Sequence, residues 1–394
     1  MRRFRLGRIR ELVSRKKATA PWAWEKTDSA DKPNRRELLG TLGVLPLVGA
    51  LSYSASGAES KKKEEPADAV TEPTFVTRSD KEEYARLKGL DLSDPEVVAR
   101  QKAMPVGKIG RLSVGRLLSG SNLISLNMHA RDLNYVTALA ANYNTEERVF
   151  MTMKRCEEHG INTIVLKNHN FKQFRLSRYW DEWGGKMQWI ADVITTDINQ
   201  YEKLLVEHLE LGASAAYLWG GASDTWHYQQ KQGNIVRAFE IMKKYHVPVG
   251  IGAHRLEPVA FCQREGIQPD FYFTTLHHDR YWSAHPRENR RFIEMFEKDS
   301  PDHAQYHDNM FCHNPEETVA FMQDVKVPWI AFKVLAAGAI PPEDGFKYAF
   351  EGGADFVCVG MFDFQVKQNA ELAREAIAKA KGRKRLWGQA GIRD

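Results

Sequence analysis

Side chains that can do acid–base chemistry stand where several short apolar runs of this chain end. His254 follows one such run, and His277 and Asp279 follow the next one along the chain. Lys333 lies near the end of a third run. An imidazole titrates near neutral pH, so it can both donate and accept protons. A lysine within apolar sequence must reach solvent, a ligand or a partner, because an unpaired buried charge is costly.

These side chains are compatible with more than one chemistry. His254 and His277 can act as a general acid and base if they converge. Together with Asp279 they can instead hold a divalent metal such as zinc. Either histidine can equally cap a strand or hydrogen-bond the rim of the fold. Lys333 can carry the charge of a substrate or cofactor, form a Schiff base, or pair with a carboxylate on a neighbouring strand.

The apolar runs alternate with helical patterns, and this alternation is repeated eight times. Strands that alternate with helices predict parallel βαβ units, and eight units in roughly 270 residues are typical of a single (β/α)8 TIM barrel. The carboxyl ends of barrel strands meet at one face, where active sites form. The predicted strands are 114–119, 162–166, 187–193, 214–218, 248–253, 271–276, 329–334 and 356–359.

Two predicted loops are longer than the barrel requires, and long loops in compact domains are usually functional. One follows the first strand, over 120–144, and the other follows the sixth, over 277–314. The second carries Tyr281, a candidate proton donor, and we expect this loop to cover the ligand. The glycines after strands seven and eight weakly indicate a phosphate site, although Asp363 would place a negative charge in the same loop.

Residues 1–58 resemble a twin-arginine export signal. Arg35 and Arg36 precede an apolar run over 38–51, and small residues follow at 56–58. The run is short for a membrane span, so we expect no stable span in the mature chain. The resemblance implies the twin-arginine export machinery as a partner and a periplasmic or otherwise exported location. An uncleaved anchor is the alternative.

Charge and composition limit the partners that we expect. The whole chain has a formal net charge of +5, but residues 1–58 hold 12 of its 56 basic and 5 of its 51 acidic residues. Removing that segment leaves a net charge of −2. Nothing therefore favours a nucleic-acid partner. The expected partner is a small-molecule substrate.

The sequence after the signal divides into three predicted parts. A flexible tether and lead-in helix occupy 59–100, with Leu87 and Leu90 as the residues that dock the helix. The barrel follows over 101–385, and 386–394 form a tail. The four cysteines have neither metal-finger nor redox-motif spacing, and we expect buried free thiols.

Six short segments follow one another along the chain at 107–117, 158–163, 331–338, 346–350, 356–361 and 368–369. Their order resembles that of aldo/keto reductases, in which they correspond to an opening hairpin that plugs the barrel floor, the junction into strand two, and the last two βα units. The resemblance implies a barrel that binds NAD(P) in an extended pose without a separate nucleotide-binding domain. It places Gly338, Gly360, Met361 and Asn369 near that cofactor.

The chain departs from this family at the catalytic positions. The family's aspartate falls near Val165, and its tyrosine falls within 168–171, where no tyrosine occurs. Its lysine falls near Asp192, and its histidine near Trp219 or Gly220. Carbonyl reduction in the family needs a proton donor tuned by a neighbouring lysine, so another group would have to supply the proton.

Three hypotheses about function follow. The first is a divergent nicotinamide-linked oxidoreductase that acts on a small, sugar-like substrate, with His254, His277 or Tyr281 as the relocated proton donor. The second is a cofactor-free or metal-dependent lyase, isomerase or hydrolase that uses His254 and His277. The third is a non-catalytic exported binding protein on an enzyme scaffold.

Overall fold

The computed structural model describes residues 77–129, 133–167, 175–284, 287 and 312–388. The predicted export signal and the first part of the predicted tether lie outside the described residues. The described chain is a closed barrel of eight parallel strands, which confirms the predicted (β/α)8 fold. The barrel strands, in chain order, are β3 Leu117–Gly120, β4 Thr163–Leu166, β5 Gln188–Val193, β6 Ala215–Leu218, β7 Val249–Ala253, β8 Phe271–Thr275, β9 Trp329–Phe332 and β10 Phe356–Val359.

Each barrel strand hydrogen-bonds to the next along the chain, and β10 closes the ring by pairing with β3. The strands are buried throughout or nearly so, because helices cover their outer faces and side chains fill the barrel. The described helices are α1 Arg78–Lys88, α2 Pro95–Lys102, α3 Asn134–Tyr143, α4 Glu146–Glu158, α5 Leu176–Trp183, α6 Tyr201–Glu210, α7 Gly220–Tyr228, α8 Gly233–Met242, α9 Leu256–Arg264, α10 Pro315–Met322, α11 Pro342–Glu351 and α12 Val366–Lys379.

A hairpin of β1 Val106–Ile109 and β2 Leu112–Gly115 precedes the barrel and closes its amino-terminal end. Ile109 is fully buried within the cluster of side chains that fills the barrel. The side chain of Asn162, just before β4, accepts a hydrogen bond from the Gly115 amide at 2.9 Å. The hairpin therefore plugs the barrel floor, as the sequence resemblance implies.

The hairpin also corrects the first predicted strand, 114–119. Val114 pairs with Gly107 in the hairpin, and the barrel strand begins only at Leu117. The prediction merged two strands because both are rich in apolar residues and only Arg116 separates them. The seven other predicted strands coincide with observed strands to within two residues at each end.

The two lead-in helices pack on the outside of the barrel. Leu87 of α1 is fully buried, and Leu90 is partly buried against the same core, so the predicted docking residues are confirmed. All four cysteines are buried, as predicted. None of the helices in the described ranges combines the length and apolar character that a bilayer span requires.

Candidate active site

A cavity of about 710 Å³ opens at the carboxyl end of the barrel strands. Its lining includes residues at or just beyond the ends of seven of the eight strands, together with the loop after β3. This is the face at which barrel enzymes bind their substrates. Of the sequence-predicted site residues, His254, Lys333, Gly338 and Gly360 line the cavity.

His254 follows β7 and forms a pair with Asp224 of α7. The Asp224 carboxylate accepts hydrogen bonds from His254 Nδ1 at 2.9 Å and from the His254 amide at 2.9 Å. Burial lowers the pKa of His254, the nearby Lys333 charge lowers it further, and Asp224 opposes both effects. Because a carboxylate only accepts, Nδ1 carries the proton of the neutral ring and Nε2 holds the lone pair. This is the form that a general base needs.

Asp192 and Tyr217 face each other on adjacent strands and line the same cavity. They are register partners at the carboxyl ends of β5 and β6. Burial raises the pKa of Asp192 to about 7, although a hydrogen bond from Tyr217 and the charge of Lys167 oppose the rise. Within the described residues, Asp192 Oδ1 is buried without a hydrogen-bond partner. A carboxyl group held near neutral pKa can serve as a general acid.

From the sequence, Asp192 stands only at the place where a family lysine is missing, and Tyr217 is not among the predicted site residues. A detectable signal was present, because Asp192 is a charged residue inside the apolar run 187–193. A charged side chain within an apolar run must reach solvent, a ligand or a partner, and this holds for Asp192 as it does for Lys333. Burial and Asp192 together raise the pKa of Tyr217 well above its usual value, so this phenol stays protonated.

Lys333 reaches the cavity because the chain turns sharply after β9. Lys333 has a left-handed backbone with φ of +57°, which ends the strand two residues earlier than predicted. Its Nζ lies 2.7 Å from Nε2 of His129, in the loop after β3. One partner of Lys333 is therefore a histidine on a loop. The ammonium group supplies positive charge to the lining beside His254.

His277, Asp279 and Tyr281 do not line the cavity, contrary to the prediction that they share a pocket with His254. The β8 strand ends at Thr275, and His277 is buried behind the cavity wall. Its Nδ1 donates to the His278 carbonyl at 3.0 Å, and its Nε2 accepts from the Cys312 amide at 3.0 Å. Both ring nitrogens are thus used in holding the chain.

The other two residues after β8 are also engaged away from the cavity. Asp279 forms an ion pair with Arg287 at 2.9 Å. The Tyr281 ring stands edge-on to the His277 ring, with centroids 6.0 Å apart. The cavity is thus lined by only one of the two predicted histidines, His254. In the described part of the chain, no three His, Cys, Asp or Glu residues are grouped so that they could hold a metal ion.

The loop after β3 builds one wall of the cavity. Helix α3 contributes Val136, Leu139 and Tyr143 to the lining. The Tyr143 hydroxyl donates to Asp363 at 2.5 Å, which ties this wall to the loop after β10. Residues 277–284 and 312–314 of the second long loop do not contribute to the lining. That the second loop covers the ligand stays a prediction for 288–311, which lie outside the described residues.

The predicted nicotinamide positions fit the cavity only in part. Gly338 and Gly360 line it, whereas Met361 and Asn369 are buried and do not. The Gly338 amide is used within its own turn, where it donates to the Leu335 carbonyl at 2.8 Å.

The loop after β10 offers no cationic side chain to a phosphate. Arg148 lies 3.3 Å from the Asp363 carboxylate, and Arg155 donates to the Asp363 carbonyl at 3.0 Å. Neither arginine lines the cavity. The described residues of this loop therefore do not fit a dinucleotide phosphate.

Comparisons with known proteins add the following. The sequence matches no family model, and no curated protein matches it significantly. Among solved structures, the chain is similar to a protein from Pseudomonas aeruginosa that is provisionally described as an aldo-keto reductase. The identity is 14%, the TM-score is 0.43, and the match covers 69% of this chain and 94% of that one. A second structure with that description matches at 13% identity, a TM-score of 0.43, and coverage of 69% and 95%.

The chain is also similar to an oxidised active mutant of (S)-mandelate dehydrogenase. The identity is 11%, the TM-score is 0.36, and the match covers 79% of this chain and 95% of that one. Similarities this low transfer no activity to this chain. The assignment of the (β/α)8 fold rests on the closed parallel sheet itself.

Proposed function

We propose that this chain is an enzyme that transfers protons at a carbon next to a carbonyl group of a small molecule, as isomerases and lyases do. One observation carries the proposal. His254 and Asp192 line one cavity, and burial shifts their pKa values in opposite directions, down for the imidazole and up for the carboxyl. Near neutral pH this gives a base and an acid in the same site.

His254 is the proposed base. Its lowered pKa keeps the ring neutral, and Asp224 fixes the tautomer and the ring orientation. When Nε2 takes a proton from substrate carbon, the ring becomes a cation beside the Asp224 carboxylate, which stabilises it. The buried carboxylate therefore positions the imidazole before the reaction and lowers the energy of its charged form afterwards.

Asp192 and Lys333 act on the carbonyl oxygen in this scheme. As the carbon–hydrogen bond breaks, its electron pair moves into the new carbon–carbon double bond and negative charge develops on the oxygen. The protonated Asp192 carboxyl donates a proton to that oxygen, and the Lys333 ammonium stabilises the charge. Neither step needs a metal or a dinucleotide.

Exchange of substrate protons with solvent tests the proposal directly. In heavy water, the purified chain should place deuterium beside the carbonyl of some member of a panel of hydroxyketones and aldoses, as followed by proton NMR. His254→Gln should abolish the exchange. His246→Gln is the matched control, because His246 is exposed and does not line the cavity. Exchange that persists in His254→Gln would rule out this base.

A nicotinamide-linked oxidoreductase is the second candidate. Two observations favour it: Gly338 and Gly360 line the cavity, and Tyr217 lies in the same lining as Lys167. The raised pKa of Tyr217 counts against a phenol tuned by lysine. Titration of NADPH against tryptophan fluorescence separates the candidates. Tight quenching that is lost in Gly360→Trp would favour the oxidoreductase, and no quenching up to millimolar NADPH would favour the cofactor-independent enzyme.

We also infer that the chain is exported through the twin-arginine machinery to the periplasm. The support is sequence alone: Arg35 and Arg36 before an apolar run, in a segment that carries the basic excess of the chain. A fusion of residues 1–58 to a folded reporter should be exported. The paired change Arg35→Lys and Arg36→Lys should retain the reporter in the cytoplasm, and export of that double variant would contradict the inference.

A further inference from the structure

The opening of the cavity exposes large apolar side chains. Leu139 and Phe364 are 64% and 62% exposed, yet both line the cavity, and Ile194 is 36% exposed and lines it too. Exposed apolar side chains are common when scattered singly, but here three border one opening. The sequence analysis predicted a sugar-like substrate, for which such an opening is a poor match.

Aromatic contacts join part of the apolar opening. The rings of Phe362 and Phe364 stack, with centroids 5.5 Å apart and an interplanar angle of 11°. Tyr143 stands edge-on to both rings, at 5.3 and 5.9 Å. Its hydroxyl is held by Asp363, so the aromatic group cannot easily turn away. An apolar ligand would therefore meet a preformed surface and would lose little energy in ordering it.

The polar groups lie in the buried part of the same cavity. Tyr217 is 3% exposed, and the side chain of His254 is 12% exposed. The buried part of the lining thus carries acid–base groups and lysine ammonium groups, and the opening carries aromatic and aliphatic side chains. A ligand that satisfies both ends must itself be polar at one end and apolar at the other.

We propose that the cavity binds an amphiphilic small molecule. Its carbonyl or carboxylate head reaches Lys333, His254 and Asp192, and its alkyl or aryl tail lies against the opening cluster, defined as Leu139, Phe362 and Phe364. The head end of this inference rests on the proposed function. The tail end rests only on the exposed apolar lining, so the two parts can fail separately.

A series of straight-chain carboxylates, from acetate to decanoate, tests the tail. Calorimetric titration at pH 6 should show affinity that rises about fourfold for each added methylene until the tail leaves the opening. Leu139→Ser and Phe364→Ser should flatten this dependence on chain length. Leu211→Ser and Tyr228→Ser are matched controls, because both residues are exposed and apolar but do not line the cavity.

Three results would overturn the inference. Affinity that does not change with chain length would leave the opening cluster without a ligand. Tighter binding of glucose than of octanoate would restore the sugar-like substrate. Loss of a dimer in sedimentation of Leu139→Ser or Phe364→Ser, with unchanged octanoate binding, would make the cluster an interface between copies of this chain.

The deuterium-exchange experiment separates this inference from the proposed function. If octanoate binds tightly but no carbonyl compound exchanges, the proposed reaction fails and the amphiphilic site stands. If short hydroxyketones exchange and longer ones gain nothing in affinity, the amphiphilic site fails and the proposed reaction stands.

Discussion

Two aspartates at opposite ends of the barrel strands show how a buried carboxylate can be structural or chemical. Asp355 lies just before β10 and is fully buried, and Arg385 Nη1 lies 2.6 Å from one of its oxygens. Arg383 and the amides of Trp329 and Gly388 also donate to this carboxylate. Residues 386–388, which the sequence analysis placed in a tail, are therefore held against the barrel.

Asp192 differs from Asp355 in the number of its partners. It lies at the carboxyl end of β5, where Tyr217 is its hydrogen-bond partner and one of its oxygens is buried without one among the described residues. A fully satisfied buried charge stabilises one arrangement of the chain, whereas an incompletely satisfied group at a cavity is available for a ligand. The carboxylate at the amino-terminal end of this barrel is thus fully paired, whereas the one at the carboxyl end has the unfilled hydrogen-bonding capacity that the proposed chemistry requires.

The largest expected effect is on activity at the carboxyl end. Asp192→Asn removes the proposed acid, and we expect the rate of deuterium exchange to fall about 10²- to 10⁴-fold. The free energy of unfolding should stay the same or rise at neutral pH, because a buried carboxyl group whose charged form is disfavoured by burial is removed. Exchange kinetics measure the rate, and urea unfolding of the same preparation measures the free energy of unfolding. A destabilised variant with full activity per folded molecule would reverse the assigned roles.

The second largest expected effect is a loss of stability when Asp355, at the amino-terminal end of the barrel strands, is changed. Asp355→Asn leaves Arg383 and Arg385 buried without their counter-charge, which should lower the free energy of unfolding by about 3–5 kcal/mol. Activity per folded molecule should not change, because Asp355 does not line the cavity. Urea unfolding monitored by tryptophan fluorescence measures the loss. A loss below about 1 kcal/mol would mean that the ion cluster is not structural.

A smaller effect is the pH dependence of stability that Asp192 introduces. Its folded-state pKa of about 7 exceeds the usual 3.8, so between these values the folded chain holds a proton that the unfolded chain has lost. The free energy of unfolding should therefore fall as pH rises from about 4 to about 7, by at most about 1.4 kcal/mol per pH unit from this group. Urea unfolding at four pH values should show that Asp192→Asn reduces this slope. An unchanged slope would contradict the raised pKa.

The smallest effect concerns the charge of Lys167. This lysine lowers the pKa of Asp192, so Lys167→Met should move the titration of Asp192 above about 7. Lys186→Met is a control that leaves the cavity charge unchanged, since Lys186 does not line the cavity. Carboxyl carbon chemical shifts in a pH titration measure the change. An unchanged titration of Asp192 in Lys167→Met would mean that the lysine does not act on this carboxyl.

The fold was accessible from the sequence because strands and helices differ in the period of their apolar residues. The sequence does not predict the site residues correctly where the direction of a side chain decides whether it reaches the cavity. His254 and His277 both follow barrel strands. His254 lines the cavity, whereas His277 is buried and both of its ring nitrogens form hydrogen bonds with backbone groups. No spacing rule separates them, because the strand before His277 ends two residues earlier and the chain has already turned.

Only part of the candidate site could be predicted from the sequence, for a related reason. Lys333 was recognised as a charge within an apolar run, and Asp192 was not given the same weight. The pairing of Asp192 with Tyr217 depends on the register of β5 against β6, which the barrel closure fixes and the local sequence does not. The partner of Lys333, His129, comes from a loop more than two hundred residues earlier in the chain.

The central claim is that one cavity is lined both by a carboxyl group with a pKa of about 7 and by a neutral imidazole. Carbon-13 NMR of the chain labelled at its aspartate carboxyls tests this most directly. We predict one resonance that titrates near pH 7 and disappears in Asp192→Asn, while His254 titrates below its usual 6.5. An Asp192 resonance that titrates near 4 would contradict the account.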